Sequence, residues 1–159
     1  MEFADLISEF ADKYHLEGLE VTDNIAAGLE IDGRNMLIMH DQEHAQVLVI
    51  GELGPVPEQG RQKIAETLLK ANYLFIGTGG ATLCLNPSSD LYELQLPIKL
   101  KDLTVDEFST LFEEMIENLH TWWVLLADVD ENAENQSDSQ SDDAEYGSSN
   151  SLSSDLMMV

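Results

Sequence analysis

The chain has 159 residues, and its 31 Asp and Glu outnumber 7 Lys and Arg, a formal net charge of -24. Phosphate backbones and anionic lipid repel such a polyanion, which excludes nucleic acid and membrane surfaces as expected partners, while 43% hydrophobic residues supply a packed core. The single cysteine, Cys84, excludes an intrachain disulfide or a cysteine-built zinc site and suits a reducing compartment.

Met1 to Asp12 hold acids and no base. No apolar run approaches the roughly 20 residues that cross a bilayer, so a cytoplasmic protein is expected. From Phe3, the residues Phe3, Leu6, Ile7, Phe10, Ala11 and Tyr14 recur at helical spacing, predicting a first helix that ends near Gly18. Ile25–Ile31, Asn35–His40 and Ala45–Leu53 are rich in strand formers and separated by Asp32-Gly33 and by Asp41–His44, the pattern of an antiparallel meander with tight hairpins. Gly54-Pro55-Val56-Pro57 breaks the sheet, because proline cannot continue a ladder. A second helix is expected over Glu58–Phe75, with Ile64, Leu68, Leu69, Ala71, Asn72 and Phe75 on one face.

Gly77-Thr78-Gly79-Gly80 stops that helix and turns the chain into a strand over Ala81–Asn86. Tyr92–Ile98 alternates as a half-buried strand. Thr104-Val105-Asp106-Glu107 has the spacing of a capping box, in which the Thr104 hydroxyl accepts from the Glu107 amide and the Glu107 carboxylate accepts from the Thr104 amide. The apolar stripe after it carries a last helix to about Ala127. The expected order is α-β-β-β-α-β-β-α, an α+β domain with an antiparallel sheet flanked by helices over residues 1–127. Asp128–Val159 holds nine of the acids and no Lys or Arg. With few apolar side chains to offset the entropy of ordering, it is expected to be a disordered acidic Ser/Asp-rich tail.

Catalytic chemistry finds little footing. The carboxylates lie on solvated faces and in the tail, so no catalytic pair stands out. His40 and His44 flank a turn but lack a third ligand at recognisable spacing. Cys84, in a short apolar strand, has no base beside it. The glycines at 77, 79 and 80 follow a helix instead of opening one, unlike a phosphate loop. No catalytic residue, metal or cofactor is expected. Trp122 and Trp123 lie in a helical stripe, so one ring is a candidate for an interface. Met36-Leu37-Ile38-Met39 is the anomaly. Four apolar residues in one strand place side chains on both faces of the sheet, and the second face then needs a cover.

Leu68-Leu69-Lys70-Ala71-Asn72-Tyr73-Leu74-Phe75, followed by Gly79-Gly80-Ala81-Thr82-Leu83-Cys84-Leu85, resembles the class I type III secretion chaperones of the Tir-chaperone (CesT-like) family. The match to their Leu-x-x-Asn pattern, apolar pair and glycine turn lies on Leu69, Asn72, Leu74, Phe75, Gly79 and Gly80. In layout the resemblance covers about residues 2 to 127, and the long Ser/Asp tail departs from it. It implies a cytoplasmic bacterial homodimer that binds the N-terminal chaperone-binding segment of a secreted effector and keeps it extended, without bond chemistry. The effector-binding residues it implies are Leu6, Phe10, Leu29, Ile31, Met36, Ile38 and Leu85. The dimer interface it implies is Ile64, Leu68, Asn72, Phe75 and Leu83. The alternative is an interaction or regulatory domain of the same fold outside secretion, its acidic tail binding a basic partner.

Overall fold

The computed structural model describes residues 2–56 and 60–141. Helix α1 (Phe3–Tyr14) is followed by the strands β1 (Ala26–Ile31), β2 (Arg34–Asp41) and β3 (Gln46–Pro55), helix α2 (Arg61–Asn72) with a single 3-10 turn at Tyr73–Phe75, the strands β4 (Thr82–Asn86) and β5 (Leu91–Lys99), and helix α3 (Val105–Ser141). The five strands form one antiparallel sheet in the order β1-β2-β3-β5-β4. This is the expected α+β arrangement.

Local chemistry sets the turns. Asp32 and Gly33 have φ of 51° and 76° between the paired residues Ile31 and Arg34, the two positive values that a two-residue hairpin loop requires for its twist to match the strands. In the β2–β3 turn the Asp41 carboxylate accepts from the His44 amide, from His44 Nδ1 at 2.8 Å and from Gln46 Nε2 at 2.9 Å. Those bonds, the Gln46 amide foremost, lower the Asp41 pKa. The capping box forms as expected: the Thr104 amide donates to the Glu107 carboxylate at 3.0 Å and the Glu107 amide donates to the Thr104 hydroxyl at 3.3 Å.

One face of the sheet carries the core. Met36, Ile38, Val47, Val49 and Leu94 are buried against Phe3, Leu6, Ile7 and Phe10 of α1 and against Phe108, Phe112, Met115 and Leu119 of α3. Phe10 meets Phe108 and Phe112 edge-on, with ring centroids 5.1 and 4.9 Å apart, a favoured aromatic geometry. Gly51 lets α3 lie directly on β3, since a Cβ there would sit 2.3 Å from Leu119 Cδ1. Both tryptophans pin α3 to the rest of the protomer. The Trp122 indole donates to Gly77 O at 3.0 Å and the Trp123 indole to Glu52 O at 2.9 Å, while the Arg34 guanidinium lies 4.8 Å from the Trp123 ring centre. Trp122 is buried in the protomer, while Trp123, half-buried, is the one of the two rings that keeps exposed surface.

Three boundaries differ from the sequence reading. Helix α1 stops at Tyr14, not near Gly18, because His15 adopts a left-handed conformation at φ 54° and its turn closes on Ala11 and Asp12. Helix α2 stops at Asn72, not Phe75, because Leu74 and Phe75 have φ of 52° and 56°, which an α-helix cannot hold. Its expected start at Glu58 lies outside the described residues. Helix α3 runs past Ala127 to Ser141. No Gly or Pro interrupts that stretch, and an established helix adds one hydrogen bond for each residue it fixes. Residues 142–159, the remainder of the expected tail, also lie outside the described residues.

Candidate functional site

The sheet has two outer strands, and they are finished differently. On β4 the backbone of Leu83 points away from β5, and the Asn72 side chain meets it: Asn72 Nδ2 donates to Leu83 O and the Leu83 amide donates to Asn72 Oδ1, both at 2.9 Å. One amide thus imitates a neighbouring strand at Leu83 and covers that part of an edge that would otherwise pair with another chain. On β1 only the start is covered, where Ala26 exchanges backbone bonds with Thr22 at 2.8 and 3.3 Å. Outward-pointing backbone groups recur every second residue in an antiparallel strand, so Gly28 and Glu30 turn theirs to the open side. Beside that edge runs a groove of about 460 Å3, with Phe10, Leu16, Leu19, Leu29, Ile31 and Ile116 among its walls. An open ladder next to apolar pockets is the geometry that accepts an added strand.

A second apolar surface lies at the end of α2. Leu69, Tyr73, Leu74, Phe75 and Ile76 are 70, 69, 69, 53 and 80% exposed. Five large apolar side chains this bare in eight residues exceed the scattered exposure of ordinary surfaces. Two of them, Leu74 and Phe75, also hold the positive φ values that side chains disfavour.

These placements correct part of the expected site. Leu6, Phe10, Met36 and Ile38 are 0–2% exposed and belong to the protomer core, with Phe10 touching the groove only from below. Leu29 and Ile31 are half-buried beside the open edge, and Leu85 is exposed on β4. Of the expected dimer residues, Ile64, Leu68 and Leu83 are buried within the protomer, and Asn72 is taken up by the β4 edge. Phe75 alone is exposed. The cause is helical phase: Ile64 and Leu68, four apart, share the face that meets the core, so Leu69 and the residues after Asn72 turn outward. The sequence reading missed Tyr73 and Ile76. The signal was present, since four consecutive apolar residues, Tyr73–Ile76, cannot all face inward.

The chemical candidates have structural employment. His40 stacks on Phe3 with ring centres 5.0 Å apart, and His44 is bonded to Asp41. Among the described residues no group of three or more His, Cys, Asp or Glu is arranged to hold a metal. Burial, and then the charge of Glu93, push the Cys84 thiol up to about 11, which keeps it protonated at neutral pH. No described helix is long and apolar enough to cross a membrane.

The comparisons with known proteins agree with this geometry. The sequence matches the Tir chaperone protein (CesT) family over residues 5–123, so the chain belongs to that family, the class I chaperones of type III secretion. Among solved structures it is similar to a chain of the ExsC-ExsE complex, at 18% identity over 77% of this chain and 92% of that one, with a TM-score of 0.69. It is also similar to a chain of the HopA1-SchA chaperone-effector complex, at 21% identity over 75% and 91% with a TM-score of 0.60. A third similar chain comes from the Yersinia pestis type III secretion chaperone SycH in complex with a stable fragment of YscM2, at 16% identity over 76% and 98% with a TM-score of 0.58. No curated protein matches the sequence.

Proposed function

We propose that the protein is a cytoplasmic, non-enzymatic homodimer that binds the N-terminal chaperone-binding segment of a type III secretion effector and keeps it extended. The observation that carries this reading is the open β1 edge beside its apolar groove, in a chain of a secretion-chaperone family. A client strand added there gains main-chain bonds at Gly28 and Glu30 and sets alternate side chains against Leu29 and Ile31. The complexes of the similar structures support a protein client. Binding an unfolded segment needs no bond chemistry, in keeping with histidines and a thiol that already serve the fold.

The exposed run Leu69–Ile76 supports dimerisation. A second copy laid against it removes several large apolar side chains from water, each worth about 1.5–3 kcal/mol when fully buried. It also holds the strained turn at Leu74 and Phe75 in place. The interface we propose is therefore Leu69, Tyr73, Leu74, Phe75 and Ile76, replacing Ile64 and Leu68.

Pulldown from the native bacterium tests the reading. The expected result is a secreted protein whose isolated N-terminal segment is sufficient for binding. A partner that binds only through a folded C-terminal domain overturns it. Light scattering on the purified protein is expected to give twice the 17.7 kDa chain mass, and a stable monomer at micromolar concentration contradicts the dimer.

A further inference from the structure

The face of the sheet turned away from α1 and α3 has no cover among the described residues. Directly paired residues share a face, and the register lays this face out in rows across the strands. In one row Gly28, Leu37 and Ile50 lie side by side on β1, β2 and β3, followed by Gln95 on β5. Next to it, Met39, Leu48 and Pro97 continue the apolar floor. On the other side lies Glu30, Asn35, Glu52 and Glu93, on β1, β2, β3 and β5. Leu37 is 36% exposed, and most residues of these rows, with Cys84, Leu85 and Asn86 of β4, line a depression of about 1000 Å3.

The acidic row is built at a cost. Glu52 and Glu93 are directly opposite each other on neighbouring strands, about 4.8 Å apart in backbone, where like charges destabilise a sheet. Glu93 is only 6% exposed. Its oxygens accept from Asn86 Nδ2 at 2.6 Å and from Gln95 Nε2 at 3.0 Å, and Glu52 accepts from Asn35 Nδ2 at 3.0 Å. All three partners are neutral amides, and neither Lys nor Arg lines the depression. A carboxylate offers about four acceptor sites, so both glutamates retain capacity toward the opening.

We propose that this depression docks an amphipathic client segment whose apolar side chains cover Leu37, Met39 and Ile50 and whose Lys or Arg side chains pair with Glu30, Glu52 and Glu93. The inference rests on the chaperone reading above and names the chemistry of the client. Charge complementarity selects the occupant. The chain's own C-terminal stretch, with nine acids and no base after Ala127, is repelled by the row. A second copy laid on this face about a two-fold axis parallel to the strands sets acidic row against acidic row. A basic segment instead relieves the Glu52–Glu93 repulsion, and the low dielectric of the apolar floor strengthens each pair.

The test is selection of random twelve-residue peptides displayed on phage, run in parallel on the full-length protein and on Glu52→Gln/Glu93→Gln. The expected outcome is enrichment of peptides that combine apolar residues with Lys or Arg on the wild type and loss of the basic preference on the variant. For one selected peptide, affinity by fluorescence anisotropy is expected to fall at least about tenfold in the double variant, the loss of about 1.4 kcal/mol. Glu30→Gln, at an exposed position, is expected to give a smaller loss in the same direction and covers the event that the double variant misfolds. Enrichment of apolar peptides without a base, or equal affinity for wild type and both variants, overturns this inference while leaving the chaperone reading intact. Failure to select any peptide overturns it too, and the effector pulldown then decides the chaperone reading separately. Leu37→Glu is expected to keep the dimer mass in light scattering, and a shift to monomer assigns this face to a second copy and sinks the proposal.

Discussion

Gly51 sets how closely α3 approaches the sheet. Leu119, fully buried, lies where a Cβ on residue 51 would go, and in a close-packed core a shifted side chain displaces its neighbours. Gly51→Ala is therefore expected to destabilise the protomer by about 1–3 kcal/mol through overpacking, read as a lower urea midpoint with an unchanged slope. Gly28, on the opposite face, has its nearest such contact at 4.0 Å, and Gly28→Ala is expected to leave the midpoint nearly unchanged. Two carboxylates, the exposed Glu107 and the half-buried Asp41, act through hydrogen bonds instead. Thr104, first through its backbone amide and then its hydroxyl, lowers the Glu107 pKa, and Gln46 and His44 lower that of Asp41. A carboxylate whose folded pKa lies below its unfolded one stabilises the fold above the unfolded value and loses that contribution as pH falls through the folded one. Stability is thus expected to decline as pH drops below the ordinary carboxylate range near 4. In denaturant melts that decline is expected to be smaller in Glu107→Gln, and an identical pH dependence contradicts the role of this cap.

Adjacent residues of α2 have opposite fates. Leu68 is 5% exposed and Leu69 is 70% exposed, so Leu68→Asp is expected to unfold the protomer, because the core leaves the charge unpaired. Leu69→Asp and Ile76→Asp are expected to keep the circular dichroism of the fold and shift light scattering toward monomer, and a folded, unchanged dimer in both refutes the interface. Only part of this was legible in the sequence. The element order followed from apolar periodicity, from Asp32-Gly33 and from the Thr104–Glu107 spacing, because each is a local signal with a local cause. Which of the apolar residues faced the core was not, since period alone does not say where the rest of the molecule lies. Met36 and Ile38 therefore went to the client surface, while Leu37 and Met39, on the solvent face, did not. Asn72 was legible as part of a family pattern, yet its bond to the β4 edge depends on a strand eleven residues away.

At the scale of the molecule, charge and apolar surface act against each other. A chain that leaves an open strand edge, the Leu69–Ile76 run and a bare sheet face in water is prone to associate with itself. A net charge of -24 opposes that by mutual repulsion between copies, and it attracts basic clients. The same charge strains the folded state, and much of it sits at the C-terminal end, where nine of the acids follow Ala127. Among the residues whose burial is described the core ends at Trp122 with Leu126 packed against it, before these acids begin in the sequence, and we propose that they serve solubility more than folding. Deleting residues 128–159 is expected to change Tm by no more than about 2 °C at physiological salt, the size of a surface effect in a chain of this length. It is also expected to raise aggregation at high protein concentration in light scattering. In about 1 M salt, where the Debye length is about 3 Å and repulsion between exposed charges is largely screened, the full-length and truncated proteins are expected to aggregate alike. A large fall in Tm on truncation instead means that the C-terminal stretch packs on the body, and equal aggregation at low salt means that its charge does not keep the apolar surfaces apart.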